Sequence, residues 1–181
     1  KKSLSNQLSI NRLFNGCELK RIFIQKFIKF WLPVIFLMCF ISWMSTGTFS
    51  AENTSSMVEA VVTFLVPVIS SQELDLVHAL IRKAAHVTEY FILGLLLFRA
   101  FRGDFTVSWK WRWSFFAVIV VILWAATDEF HQSFVPTRTA SAVDVGIDAA
   151  GGMLAQIVSA LWHRYRKKRI STALPELAFY Q

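Results

Sequence analysis

Four stretches of the chain are apolar for long enough to cross a bilayer, and charge flanks most of their ends. A spanning helix needs about 20 mostly apolar residues to cover roughly 30 Å of hydrocarbon. The first stretch runs from about Phe27 to Met44, FIKFWLPVIFLMCFISWM. Its Pro33 is tolerable inside lipid. The second runs from about Ala84 to Phe101, with His86 and Glu89 in its first turns and Arg99 placed to snorkel at the far end. The third runs from about Trp111 to Thr127 and continues through DEFHQSF; the fourth runs from about Thr139 to Trp162 and contains Asp144 and Asp148. Met57 to Ile69 is also apolar, but a helix of that length reaches only about 20 Å, and Pro67 interrupts it. That segment predicts a short helix on the outer face. Gln72 to Lys83 carries Leu74, Val77, His78 and Ile81 at helical spacing and leads into the second span.

The pattern predicts an all-α integral membrane bundle of four transmembrane helices. Leu4, Leu8, Leu19, Ile22 and Phe23 suggest an N-terminal amphipathic segment over 1–26. The membrane domain covers 27–162, and a basic tail covers 163–181.

Composition supports this reading. Hydrophobic residues make up 55% and charged residues 17%, against about 25% charged in soluble domains. Disorder is excluded, because it requires low hydrophobicity. The net charge of +7 would suit nucleic acid if it formed a patch, but its distribution follows the spans. Sixteen of the 19 Lys and Arg fall before the first span or in its first turn, at or between the facing ends of the second and third, or after the fourth. Only Arg82, Lys83 and Arg138 fall on the other side. Basic residues mark the cytoplasmic side, so both termini are expected in the cytoplasm of a multi-pass plasma membrane protein. The charges are then a topology signal and a contact for anionic membrane lipids, with no nucleic-acid partner. The first span lacks a small-residue cleavage site and is expected to stay as an anchor. The chain begins at Lys1 rather than Met, so the native start is expected upstream. Cys17 and Cys39 lie at different depths and have no zinc spacing.

Polar residues inside membrane segments are expensive and mark functional sites by default. Here three spans carry them at one depth. The second places Arg82, Lys83, His86, Glu89 and Tyr90 near its outer end. The third ends with Asp128, Glu129, His131 and Gln132. The fourth begins with Ser141, Asp144 and Asp148, after a link containing Pro136 and Arg138. The third span needs part of Asp128 to Phe134 to complete its crossing, and the fourth needs Asp148. Turned toward lipid, each acid would cost several kcal/mol; turned inward, they meet. Gly146, Gly151 and Gly152 lie among alanines on the fourth span and are expected to pack helices closely. His78 reads as interfacial, His131 as facing water, His163 as part of the cytoplasmic edge, and Trp124 as packing.

The ordered set Lys83, His86, Tyr90, then Asp128, Glu129, Gln132, Phe134, Pro136, Arg138, Ser141 and Asp144, with Asp148, Gly151 and Gly152 following, resembles the VanZ-like family. The Ser-rich element Ser42 to Ser50 also looks like that family's. The resemblance spans about residues 30–160. It implies a small helical membrane domain and a link to resistance against the glycopeptide teicoplanin; it implies no established biochemical activity. Two departures stand out: Thr137 stands where the family usually has Gly, and Asp148 where it often has Asn.

Three chemistries fit the cluster. It could lock the helices together as a structural network. It could bind or modify a lipid-linked or peptidoglycan-precursor-type amphiphile, or a glycopeptide-related ligand, at the outer leaflet. Arg82, Lys83 and Arg138 then recognise phosphate or carboxylate; Tyr90, Gln132, Ser141, Asp144 and Asp148 complete the binding surface. His86, Glu89, Asp128 and Glu129 are the candidate acid/base groups. It could also hold a divalent cation, with Mg²⁺ or Ca²⁺ favoured by oxygen ligands, though no cofactor is required. Fully ionised, the five acids and three cations leave a net −2, so an anionic head group needs a bound cation or some protonated acids. Ion or proton transport is a further option, for which four helices are few. No serine lies in a nucleophile elbow.

Overall fold

The computed structural model describes residues 2–46, 51–66, 68–104, 109–135 and 141–178, with side chains over 18–46, 58–66, 68–104, 109–135 and 141–172. Five helices follow one another: α1 (Lys2–Met44), α2 (Ala51–Leu65), α3 (Ser71–Arg102), α4 (Trp111–Gln132) and α5 (Ala142–Ala178). No strand occurs among the described residues. Four helical stretches are long and apolar enough to cross a membrane: Glu18–Met44, Ser71–Arg102, Trp111–Gln132 and Ala142–Thr172. The protein is a multi-pass membrane protein.

The expected spans are present, but several helices run further than their apolar stretches. α1 passes unbroken across the expected 26/27 boundary, and α5 continues through its basic segment to Ala178. Runs of Lys, Arg, Leu and Ala sustain helix without needing burial. α3 begins well before Ala84 because Ser70 forms a capping box: its Oγ accepts from the Glu73 amide, and its own amide donates to Glu73 Oε2. These bonds satisfy two groups that a helix start otherwise leaves open. α3 ends at Gly103, whose positive φ of 58° suits glycine and whose amide donates to the Arg99 carbonyl. α2 starts at Ala51, earlier than the apolar stretch, and stops at Leu65, just short of Pro67. The residue before a proline is sterically disfavoured in helix. α2 packs against α3.

α3 is the central helix. It packs most extensively on α5, and also on α4 and α1; α4 and α5 pack on each other. Small residues set the α3–α5 distance. A Cβ at Gly151 would stand 2.6 Å from the Val87 carbonyl oxygen, and one at Gly152 would stand 2.6 Å from a Val121 methyl of α4. A Cβ at Gly94 of α3 would stand 2.9 Å from Ala155 Cβ and 3.0 Å from the Gly152 carbonyl oxygen. This is the close helix approach that lipid-embedded bundles favour. Gly146 does not belong with them: a Cβ there meets nothing, since it lies on an open face. Val34 and Ile41 of α1, Tyr90, Leu93 and Leu97 of α3, and Val121 and Ala125 of α4 form the core. Phe36, Leu123, Ile157 and Leu161 point outward, where only lipid makes their exposure cheap.

Two polar clasps hold the bundle end that carries the α3–α4 connection. Asp104 takes Lys26 at 3.0 Å and Lys29 at 3.3 Å. Hydrogen bonds from those two ammoniums, Lys26 first, hold the Asp104 carboxyl below its usual value. His163 Nδ1 lies 2.8 Å from the Ser159 carbonyl and its Nε2 lies 2.8 Å from Arg102 Nη1. A carbonyl only accepts, so Nδ1 carries the proton and Nε2 accepts from the guanidinium.

Candidate functional site

The opposite end, where α4 stops and α5 starts, gathers the polar residues. Helical spacing puts Asp128 and Gln132 on one face of α4. Both are buried, and Gln132 Nε2 donates to Asp128 Oδ2 at 2.9 Å. The same oxygen accepts from Ser45 Oγ at 2.6 Å, and Gln132 also donates to Ser45 Oγ at 3.3 Å. Ser45 follows the last turn of α1, with its amide bonded to the Ile41 carbonyl. Three residues thus tie the end of α1 to the end of α4 in a knot centred on Asp128 Oδ2, while Asp128 Oδ1 is buried with no hydrogen-bond partner among the described residues.

Glu129 is buried beside it. Its Oε2 accepts from the Ser141 amide at 2.9 Å, which pins the start of α5 to the last turns of α4. Ser141 Oγ in turn caps α5 by accepting from the Val143 amide.

Asp148 is different. It lies about two turns into α5, is 0% exposed, and neither carboxylate oxygen has a hydrogen-bond partner. His86 of α3 brings Nδ1 to 3.5 Å from Oδ1, an ion-pair distance without hydrogen-bond alignment. Nearer the water, Lys83 stands 3.7 Å from Asp144 in an exposed pair, and Arg82 is exposed.

These groups surround a cavity of about 170 Å³. α3 contributes Arg82, Lys83 and His86; α4 contributes Glu129 and Gln132; α5 contributes Asp144 and Asp148. Ala79 and Ile147 complete the wall. Buried acids form its floor and exposed cations its rim. That arrangement can bind a small polar group, orient it by charge, and present His86 and the floor carboxylates to it.

The remaining expected residues lie elsewhere. Asp128 faces the knot rather than the cavity. Tyr90 is fully buried in the core, and its hydroxyl has no hydrogen-bond partner among the described residues. Glu89 is half-buried one turn along α3 and does not line the cavity. Ser141 acts as a cap. Arg138, with Pro136 and Thr137, lies outside the described residues. Among the described residues, no three His, Cys, Asp or Glu side chains converge as a metal-ligating group, because Asp128, Glu129 and Asp148 each turn to a different neighbour. His131 is exposed as expected, His163 belongs to its clasp, and His78 is half-buried with Nε2 enclosed. Trp124 is half-buried against the core. Sequence reasoning missed Ser45 as a site residue. The Ser-rich element following the first span was the available signal.

A family model described as VanZ/LLP1 matches residues 30–163. That stretch holds α1 from Phe30 onward, the knot, the cavity and the His163 clasp. No curated protein and no solved structure matches the chain.

Proposed function

The chain belongs to the VanZ/LLP1 family, and from that premise we propose that it is a cell-envelope membrane protein whose polar cavity binds the head group of a lipid-linked amphiphile. Both termini face the cytoplasm in this reading, so the cavity opens at the outer leaflet. The observation that carries it is the buried Asp148 carboxylate, without hydrogen-bond partners, at the floor of a cavity rimmed by Arg82 and Lys83. An unsatisfied buried charge costs free energy, and a bound head group that donates to it recovers that cost. The acyl chains of the amphiphile lie against the apolar outer faces of the helices. Peptidoglycan-precursor-type lipids are one such class, and the family resemblance connects the role to teicoplanin resistance. His86, beside Asp148 in the cavity wall, is the proposed acid/base group if the ligand is modified, with Glu129 as a second carboxyl.

A structural role has one observation in its favour: the Asp128–Ser45–Gln132 knot needs no ligand. We assign that role to the knot alone. Purified protein, extracted with organic solvent and analysed by mass spectrometry, is expected to release a co-purified lipid that His86→Ala and Glu129→Ala variants lack. In cells, the same variants and Arg138→Ala lose the wild-type shift in teicoplanin susceptibility at unchanged expression. Absence of any retained lipid, with wild-type susceptibility in all three variants, would leave only the scaffold role. A reporter active only outside the cytoplasm, fused after Gln181, stays silent if the proposed topology holds.

A further inference from the structure

The cavity is polarised along its depth, and the polarity specifies the ligand further than its location does. Its floor holds two buried acids: Asp148, with both oxygens lacking hydrogen-bond partners, and Glu129, with one oxygen taken by the Ser141 amide. Its rim holds Arg82 and Lys83, of which Lys83 is engaged by Asp144 at 3.7 Å. Among the described lining residues Lys83 is paired with Asp144, which leaves Asp148 and Glu129 facing Arg82 and the His86 imidazole. A purely anionic head group places its acceptor oxygens against two buried carboxylates and offers nothing to Asp148, which can only accept when ionised. A donor-bearing cation satisfies the floor, and an anion linked to it satisfies the rim.

Size narrows the choice. At about 170 Å³ the cavity is smaller than the roughly 300–1,000 Å³ typical of drug-sized ligand sites. A head group of a few heavy atoms suits a cavity of this size better than a disaccharide or a peptide. Resting on the amphiphile-binding reading above, we infer that the cavity selects a zwitterionic phospholipid head group of the phosphoethanolamine type, with the primary ammonium on Asp148 and the phosphate at Arg82. A quaternary ammonium has no N–H to donate and is bulkier, and a glycerol head group has no positive charge.

The test uses the purified full chain in detergent. Short-chain phosphatidylethanolamine, phosphatidylcholine and phosphatidylglycerol of matched acyl length are titrated while thermal unfolding is followed, since a ligand of the folded state raises Tm with its concentration. Phosphatidylethanolamine is expected to act at a concentration at least about tenfold lower than the other two, the least expected from one charge-assisted hydrogen bond. Asp148→Asn, nearly isosteric, is expected to abolish that preference. Arg82→Ala changes an exposed side chain and leaves the core intact; it is expected to weaken phosphatidylethanolamine about tenfold. Glycerophosphoethanolamine without acyl chains is expected to bind at least tenfold more weakly, and equal binding would overturn the lipid assignment. Equal stabilisation by all three lipids, lost in Arg82→Ala, would overturn the zwitterion selectivity and leave the amphiphile reading standing. No stabilisation by any lipid would overturn both. Retained preference in Asp148→Asn, or unchanged affinity in Arg82→Ala, would also refute the inference.

Discussion

Asp128 and Asp148 are the same residue type, equally buried, on helices that pack together, yet their surroundings are opposite. Asp128 accepts two hydrogen bonds from Ser45 and Gln132. Asp148 accepts none and has one imidazole at 3.5 Å. The first is a knot built on one oxygen, Oδ2, while Oδ1 has no hydrogen-bond partner among the described residues; the second is the floor of a cavity and has a partner on neither oxygen. The contrast separates two uses of buried charge in a membrane bundle. A hydrogen-bonded acid fixes geometry. An unsatisfied one holds free energy that a ligand can release, at a cost to the empty protein.

Removing each acid therefore has a different expected result, and the largest effect falls on the knot. Asp128→Ala strips the acceptor from the buried Ser45 hydroxyl, while Gln132 keeps its bond to Ser45 Oγ, and should destabilise the bundle by about 1–3 kcal/mol for one orphaned polar group. Chemical unfolding in detergent micelles measures it. Interhelical hydrogen bonds in membranes average under ~1 kcal/mol, so a loss of that smaller size would mean the unfolded state finds replacement partners. Ser45→Ala removes one donor and should cost less, in the same direction.

Asp148→Asn should do the reverse. It replaces an acid without hydrogen bonds by a neutral amide of the same shape, so stability is expected to stay within about 1 kcal/mol of wild type or to rise, while the preference for phosphatidylethanolamine disappears. A destabilisation matching that of Asp128→Ala would show that Asp148 also belongs to the packing, and would erase the distinction between the two regions.

The α3–α5 contact beneath both acids can be graded by glycine. Gly151→Ala drives a methyl toward the Val87 carbonyl, which is backbone and cannot rotate away. A cost of about 1–3 kcal/mol is expected, as for overpacked cores. Gly152→Ala meets Val121 methyls, which can repack, and should cost less. Gly146→Ala meets nothing and should gain a few tenths of a kcal/mol from helix propensity. Unfolding midpoints of the three variants, measured together, test the order. Because Val87 adjoins His86, Gly151→Ala should also widen the cavity and weaken binding, which Gly146→Ala should not.

Much of this architecture was legible in the chain. Apolar run lengths located four spans, and the requirement that each reach about 30 Å forced Asp128, Glu129 and Asp148 into the bilayer. Convergence of Arg82, Lys83, His86, Glu129, Gln132, Asp144 and Asp148 on one cavity followed from placing them at one depth. The division of labour between Asp128 and Asp148 was not legible. Periodicity reports which face a residue occupies on its own helix, but not which neighbouring helix supplies a donor there. Ser45 escaped for the same reason: a serine near a helix end has no charge to flag it, and its partner lies more than eighty positions away. Tyr90 shares a helix face with His86, yet one further turn carries it from the cavity into the core. The lengths of α1 and α5 were obscured because membrane hydropathy detects apolar segments, whereas polar helix formers extend a helix beyond them.

The clasp at the other end of the bundle supplies the mildest test. Asp104 is exposed and held ionised by Lys26 and Lys29, so water screens it and its contribution is small. Its folded-state carboxyl lies below the ordinary value of 3.8. A depressed folded value means the contact contributes above the unfolded value and is lost as pH falls through the folded one. Asp104→Asn should therefore lower the unfolding midpoint slightly at neutral pH, and the two proteins should converge below pH ~4. High salt should narrow the neutral-pH difference as well. Neither change reaches Asp148, so ligand binding at the far cavity should be the same in Asp104→Asn as in the wild type. A binding defect there would mean that the ends of α3 are coupled through the helix, and that the two regions are not energetically separate.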